Sequence, residues 1–288
     1  EPIAYTILQK GKRLRPMLCL LANDLFGGKT EDALWPALAL ETFHNFTLIH
    51  DDIMDQAPMR RGQATVYQKW NANVAILSGD AMLAMAFQFA LNTKNGVAAA
   101  QLLGKVAREV CEGQQFDLNY ETQGEVSIAE YLEMIRLKTA VLLATSLEMG
   151  ATIANADAQS KQALYDFGIN IGMSFQLQDD ILDLYSDVEV FGKRHGGDIA
   201  DNKKTYLYLK ALELAEEQDR KRLQHLFTRR VEHEEEEKIA EVKAIYDKLH
   251  VKEAVENVMQ DYDRKAFAAL DSIALPEEKK THLRTYAE

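Results

Sequence analysis

Apolar residues recur along most of this chain at intervals of three and four, the spacing of an amphipathic helix. The pattern predicts helices over residues 14–26, stopped by Gly27 and Gly28, and 33–54, closed by Pro58. Residues 74–91 are apolar nearly all round, which predicts a helix buried at the centre of a bundle. Further helices are expected at 97–120, 128–154, 160–184, 206–226 and 234–270. Residues 186–204 break the period with Gly192, Gly196 and Gly197 and read as a long polar loop, often a functional feature in a compact domain. The acidic run at 234–237 reads as a solvated helix face.

Composition sharpens this to an all-α class. The 288 residues include only 5 prolines and 15 glycines, too few for a loop-rich or all-β protein, and good helix formers fill the long stretches. With no linker, solenoid repeat or charge-block tail, residues 1–288 read as one domain. The chain begins at Glu1 without a methionine, which leaves room for a preceding segment. Cys19 and Cys111 lie in apolar helical patterns without a CxxC and are expected in the core, as suits a reducing cytoplasm. No run of about 18 uncharged apolar residues predicts a membrane span, and no signal peptide is visible.

Charge narrows the chemistry. A formal net charge of -12 disfavours nucleic acid as a partner. It would also repel a phosphate, unless a local basic cluster or a bound metal reverses the field. Gly28-Lys29-Thr30 resembles the end of a P-loop, but Asn23 stands where the first glycine belongs. His233-Glu234 lacks the second histidine of a zinc-protease helix, and no GxGxxG occurs.

Two clusters remain. Asp51, Asp52 and Asp55 form one DDxxD, and Asp179, Asp180 and Asp183 form another 128 residues later, each inside an apolar helix. Residues four apart share a helix face, where like charges repel. Divalent cations offset that cost, and a carboxylate-only site suits Mg²⁺ or Mn²⁺ holding an anion. The nearby cations indicate which anion: Lys12, Arg13, Arg15, Arg60, Arg61, Lys138, Lys193 and Lys203 are the residue types that clamp phosphate.

Taken together, GKRLRP, HNFTLIHDDIMDQAPMRRGQAT, GQQFDL, LKTA, FQLQDDILD and FGKRHGGDIADNKK resemble the trans-isoprenyl diphosphate synthases of the polyprenyl synthetase family, over nearly the whole chain. The resemblance implies a single large helical bundle of the isoprenoid synthase type around a deep central cavity, usually a cytoplasmic homodimer. It implies a Mg²⁺-dependent prenyltransferase that joins isopentenyl diphosphate to an allylic prenyl diphosphate. By the same resemblance Asp51, Asp55 and Asp179 ligate metal, with Asp52, Asp180 and Asp183 as further ligands or supports. Arg60, Lys138 and Lys193 hold the allylic diphosphate, and Lys12, Arg15, His44 and Arg61 the isopentenyl diphosphate. Thr139, Gln176 and Lys203 fall where the family stabilises the reacting centre and closes the loop. The role of Arg13 stays open.

His44 also has a reading of its own. It lies seven residues before Asp51, two helical turns away on the same face, and this favours contact with a diphosphate. His50 has no such support. In the family, product length is often set four and five residues before the first aspartate, here Thr47 and Phe46. One aromatic beside one small residue implies a short product, farnesyl or geranylgeranyl diphosphate. The absence of a two-residue insertion in the first cluster tilts the choice to geranylgeranyl. Two rivals are a terpene cyclase of the same fold and a non-catalytic regulatory subunit. A cyclase has no use for Lys12, Arg15 and His44, and a regulatory subunit tends to lose the aspartates that are intact here.

Overall fold

Nearly every apolar period in the sequence becomes a helix in the computed structural model, which describes residues 1–186, 195–228 and 235–287. The chain divides into two compact units. The first comprises Glu1–Ala107, Leu142–Gly168 and Ala269–Glu288, the second Arg108–Val141 and Ile169–Ala268.

In the first unit α1 (Pro2–Ile7), α2 (Leu14–Leu25) and α3 (Thr30–Met54) lead to a short hairpin, β1 (Met59–Arg60) and β2 (Gln63–Ala64). Then come α4 (Val66–Lys69) and α5 (Ala72–Leu91), which packs along α3. Gly27 caps α2 with φ of 71°, and the Gly28 amide donates to Asn23 O at 2.9 Å. The P-loop-like Gly28-Lys29-Thr30 is therefore the end of one helix and the start of the next. Small residues let helices approach: a Cβ on Gly150 would lie 2.0 Å from the Cys19 carbonyl oxygen. Buried Leu40, Phe43, Ile49, Met82, Leu103 and Leu147 fill the core.

The second unit begins within α6 (Gly96–Thr122) and contains α7 (Ile128–Ile135). A π-helical turn (Arg136–Ala140) joins α7 to α8 (Val141–Ile153), and α9 (Ala158–Tyr185) follows. The remaining helices are α10 (Gly197–Ala200), α11 (Tyr206–Leu214), α12 (Glu217–Thr228), α13 (Glu235–Lys248) and α14 (Val251–Asp271), with α15 (Glu277–Ala287) closing the chain in the first unit. Tyr246, Leu177, Leu184, Val242 and Leu223 anchor the second unit's core.

Four expectations need correcting. The periods over 206–226 and 234–270 each split, at Ala215, whose ψ of 139° is extended, and at His250, whose φ is 52°. Helical periodicity survives a two-residue break, so it does not reveal one. A two-stranded hairpin interrupts the helical chain: Arg61 and Gly62 both take positive φ, 54° and 76°, the backbone of a tight two-residue turn. Cys111 is exposed rather than in the core, while Cys19 is fully buried and burial pushes its thiol up to about 12.

The fourth concerns α5, which is not central. It buries Ala75, Ser78, Gly79, Met82, Ala86 and Ala90, leaving Ile76, Leu77 and Leu91 at 41%, 68% and 53% exposure. Among the described residues it is the one helix long and apolar enough to cross a membrane, by length and composition. An apolar circumference says that a helix is to be covered, but not by what.

Arg13, whose role the sequence leaves open, is a strut. Its guanidinium pairs with Glu41 and donates to Ile7 O at 2.6 Å and Gln9 O at 2.8 Å, tying the first turns of the chain to α3. Asn45 completes the network by donating to Glu41 Oε1 at 3.0 Å. Removing the cation takes the ion-pair partner from a largely buried carboxylate, which keeps only Asn45 among its named donors, and leaves two carbonyls without theirs. Arg13→Ala is therefore expected to lower the unfolding free energy by about 2 kcal/mol, read as a shift in the urea midpoint at constant slope.

Candidate active site

Both aspartate clusters lie near the C-terminal ends of their helices, the end at which the backbone dipole disfavours negative charge. In the first unit Asp51, Asp52 and the exposed Asp55 close α3. Arg60 reaches back from the hairpin, donating from Nε to Asp52 Oδ1 at 2.6 Å and from Nη2 to Asp51 Oδ2 at 3.1 Å. Burial pushes the Asp52 carboxyl up to about 6, against the pull of Arg60.

The residues expected on the isopentenyl side, Lys12, Arg15, His44 and Arg61, all belong to the same unit. Arg15 Nη1 lies 3.2 Å from His44 Nε2, on the face of α3 expected from the seven-residue offset. His44 is driven well below the ordinary imidazole value, by burial first and then by Arg15, Arg61, Arg60 and Arg13. It is neutral, so Nε2 accepts from the guanidinium. Arg15 itself is lowered to about 10 by burial, with Glu41 opposing and Arg61 reinforcing. A Cβ on Gly11 would stand 3.2 Å from the Arg61 guanidinium carbon, so the glycine seats that side chain. Lys12, beside it, is exposed. A chain of net charge -12 thus builds a concentrated cationic patch next to its first aspartates.

Further back on α3, Phe46 is buried, and Thr47 is half-buried with its hydroxyl donating to His44 O at 2.8 Å.

In the second unit the side chains form a relay. Thr139 Oγ1 donates to Gln176 Oε1 at 3.0 Å, and Gln176 Nε2 donates to Asp180 Oδ1 at 3.2 Å. Tyr131 donates its hydroxyl to the other oxygen of Asp180 at 2.5 Å. Burial pushes Asp180 up to about 8, with Asp198 adding and the two hydrogen bonds opposing. Asp183 accepts from the Asp198 amide at 3.1 Å and so caps the short helix α10. The half-buried Asp179 lies one residue before Asp180 on α9. Lys203 stands 3.9 Å from Asp198, whereas Lys204 donates to Tyr120 O and Gln123 O and closes the end of α6. Lys193 lies outside the described residues, as does much of the 186–204 loop.

Lys138 and Thr139 sit on the π-helical turn. The wider turn interrupts the regular helical run of 128–153 at the two residues expected to meet substrate, and π turns are common at such places. Lys138 Nζ donates to Asp117 Oδ2 at 2.5 Å. Sequence reasoning assigned no role to Asp117, Tyr131 or Asp198. Asp117 lies inside the GQQFDL motif, where an acidic residue in an otherwise polar helical stretch is a weak signal. Tyr131 meets Asp180 across 49 residues, a pairing with no local signature.

The donor chemistry can be tested against a divalent cation. All six cluster residues offer hard carboxylate oxygens. That set fits Mg²⁺, which is usually held by one or two carboxylates with water and substrate phosphate oxygens completing the octahedron.

A model of the polyprenyl synthetase family matches residues 1–249. Over 270 residues the chain is 38% identical to a short chain isoprenyl diphosphate synthase of Methanothermobacter thermautotrophicus, covering 93% of this chain and 82% of that one. It is 42% identical to a geranylgeranyl diphosphate synthase of Sulfolobus acidocaldarius over 73% of this chain and 66% of that one. A crystal structure of a geranylgeranyl pyrophosphate synthase superposes with a TM-score of 0.96 at 42% identity, covering 99% of this chain and 89% of the other.

Proposed function

The chain belongs to the polyprenyl synthetase family, and on that premise we propose that it is a trans-prenyltransferase. It joins isopentenyl diphosphate to an allylic diphosphate and releases pyrophosphate and a short-chain prenyl diphosphate. The observation that carries this reading is the adjacency, within one unit, of Asp51 and Asp52 to Arg60 and of that group to the Arg15–His44–Arg61 patch. Carboxylates for a metal beside clustered cations for phosphate are what a diphosphate substrate requires.

In this reading Arg60 and Lys138, with Lys193, bind the allylic diphosphate, and Lys12, Arg15, His44 and Arg61 bind isopentenyl diphosphate. The outer aspartates Asp51, Asp55 and Asp179 take Mg²⁺, while Arg60 steadies Asp52, and Tyr131 and Gln176 steady Asp180. When bound, the metal stabilises the charge that develops on departing pyrophosphate. The allylic carbon–oxygen bond breaks with its electron pair leaving on pyrophosphate, and the isopentenyl double bond attacks the carbon. A proton is then lost, with the released pyrophosphate as its acceptor. Neutral His44 accepts from Arg15 and holds the guanidinium forward without adding charge. Thr139 and Gln176 orient one another beside the reacting centre.

Both units serve one polyprenyl synthetase domain, a reading supported by a family match that runs through both. Geranylgeranyl diphosphate is the favoured product over farnesyl, supported by relatives that carry that name. A cytoplasmic homodimer is supported by the free thiol of exposed Cys111 and by the apolar face that α5 leaves uncovered.

The test is direct. Purified protein with Mg²⁺, labelled isopentenyl diphosphate and each allylic primer in turn is expected to yield one discrete prenyl alcohol after dephosphorylation, a yield abolished by EDTA. Folded protein that incorporates no label with any primer refutes the assignment.

A further inference from the structure

Phe46 and His50 lie one turn apart on the same face of α3, with ring centroids 4.8 Å apart in an edge-to-face contact. His50 has a seat prepared for it on α5. Its Nε2 donates to the Ile76 carbonyl oxygen at 3.2 Å, and the Asp80 carboxylate lies 3.8 Å from the same nitrogen. The floor of the seat is Gly79, where a Cβ would come within 2.3 Å of Nε2 and 2.5 Å of Cδ2. Any side chain at position 79 would evict the ring. Three neighbouring residues of α5 thus hold one imidazole by a carbonyl, a carboxylate and an absence of side chain.

The consequence falls on Phe46. Its ring is packed between Phe43, 5.5 Å away by centroid, and His50. Thr47 is held by its own helix through the bond to His44 O, whereas Phe46 rests on the ring of His50, which is itself anchored on α5. We propose that His50, seated on Gly79 and held by Ile76 O, is the positioning residue that fixes Phe46 and thereby sets the length of the finished prenyl chain. This rests on the synthase reading and on Phe46 as the stop. With the imidazole removed, the seat opens next to Phe46 and the phenyl ring can swing into it. The barrier to one further condensation then falls.

The experiment uses the full chain with Mg²⁺, farnesyl diphosphate and labelled isopentenyl diphosphate, and sizes the dephosphorylated products. His50→Ala is expected to raise the share of product at least one isoprene unit longer than wild type by roughly tenfold, the scale on which an apolar pocket discriminates. His50→Leu keeps the volume but has no donor for Ile76 O, and a smaller shift in the same direction is expected. His50→Gln restores a donor and should return the product toward the wild-type length. Phe46→Ala serves as the control that lengthens product by removing the stop itself.

Unchanged product length in His50→Ala, or in His50→Leu should the alanine variant not fold, overturns the proposal. So does a fall in incorporation without a change in length, which would make His50 a support for Asp51 alone. Unchanged length in Phe46→Ala removes the stop on which the proposal depends, whereas a wild-type chain that makes no product defeats the synthase assignment instead.

Discussion

Asp55→Asn is expected to reduce turnover roughly a thousandfold while leaving the fold at least as stable as the wild type. The two halves of that result have one cause. Asp55 is the exposed C-cap of α3, four residues beyond Asp51 and three beyond Asp52, at the negative end of a helix that runs from Thr30 to Met54. Like charge at that spacing and at that end of a helix costs about 0.5 kcal/mol. An amide keeps the shape and removes the charge, so the urea midpoint should hold or rise slightly. The proposed reaction loses a hard anionic oxygen at the place where it needs the charge on departing pyrophosphate balanced. Steady-state kinetics at saturating Mg²⁺, paired with denaturation, separate the effects. A variant within tenfold of wild-type turnover would remove Asp55 from the site, and one that is poorly folded would mean that the carboxylate holds the loop after α3.

Those aspartates were the most legible feature of the sequence, and for the same reason. Charges that violate local preference inside an apolar helix have no structural explanation, so they point to chemistry. The seven-residue offset of His44 was equally readable, since helix geometry alone carries it to the same face, and the structure pairs it with Arg15. Arg13 was not readable. Its motif places it among phosphate-binding cations, yet its left-handed backbone, φ 52°, turns the guanidinium toward Glu41 and two carbonyls. Nor was the π turn, because Leu137 and Ala140 keep the apolar period through it while both are buried. The residues that aim Lys138 and Asp180, namely Asp117 and Tyr131, come from elements 21 and 49 residues away. Hydrophobic periodicity says which face of a helix is buried and nothing about what it meets. Contacts made through tertiary packing, and the uncovered face of α5, therefore remained hidden.

Gly113→Ala is the second change expected to have a large effect, and it tests how the π turn is held. Gly113 is buried on α6, and a Cβ there would lie 2.4 Å from the Lys138 nitrogen, 2.7 Å from the Leu137 carbonyl carbon and 2.8 Å from Lys138 Cα. All three are backbone atoms, so no side chain can rotate out of the way and either the turn or α6 has to move. One turn further along the same face, Asp117 takes the Lys138 ammonium. Gly113 thus admits the backbone of the turn and Asp117 orients the side chain that leaves it. The added methyl is expected to cost about 3 kcal/mol in stability. It should also lower kcat about a hundredfold in molecules that remain folded, because a displaced turn carries Lys138 and Thr139 away from the places the proposed reaction gives them. Gly150→Ala supplies the comparison. Its Cβ meets the Cys19 carbonyl at 2.0 Å, an equal overpacking that touches none of the site residues, so it should destabilise comparably and leave kcat per folded molecule near wild type. Should both variants lose activity only in proportion to the folded fraction, Gly113 is a packing residue and the π turn tolerates displacement. A kcat loss confined to Gly113→Ala would make the close approach of α6 the device that keeps Lys138 in register.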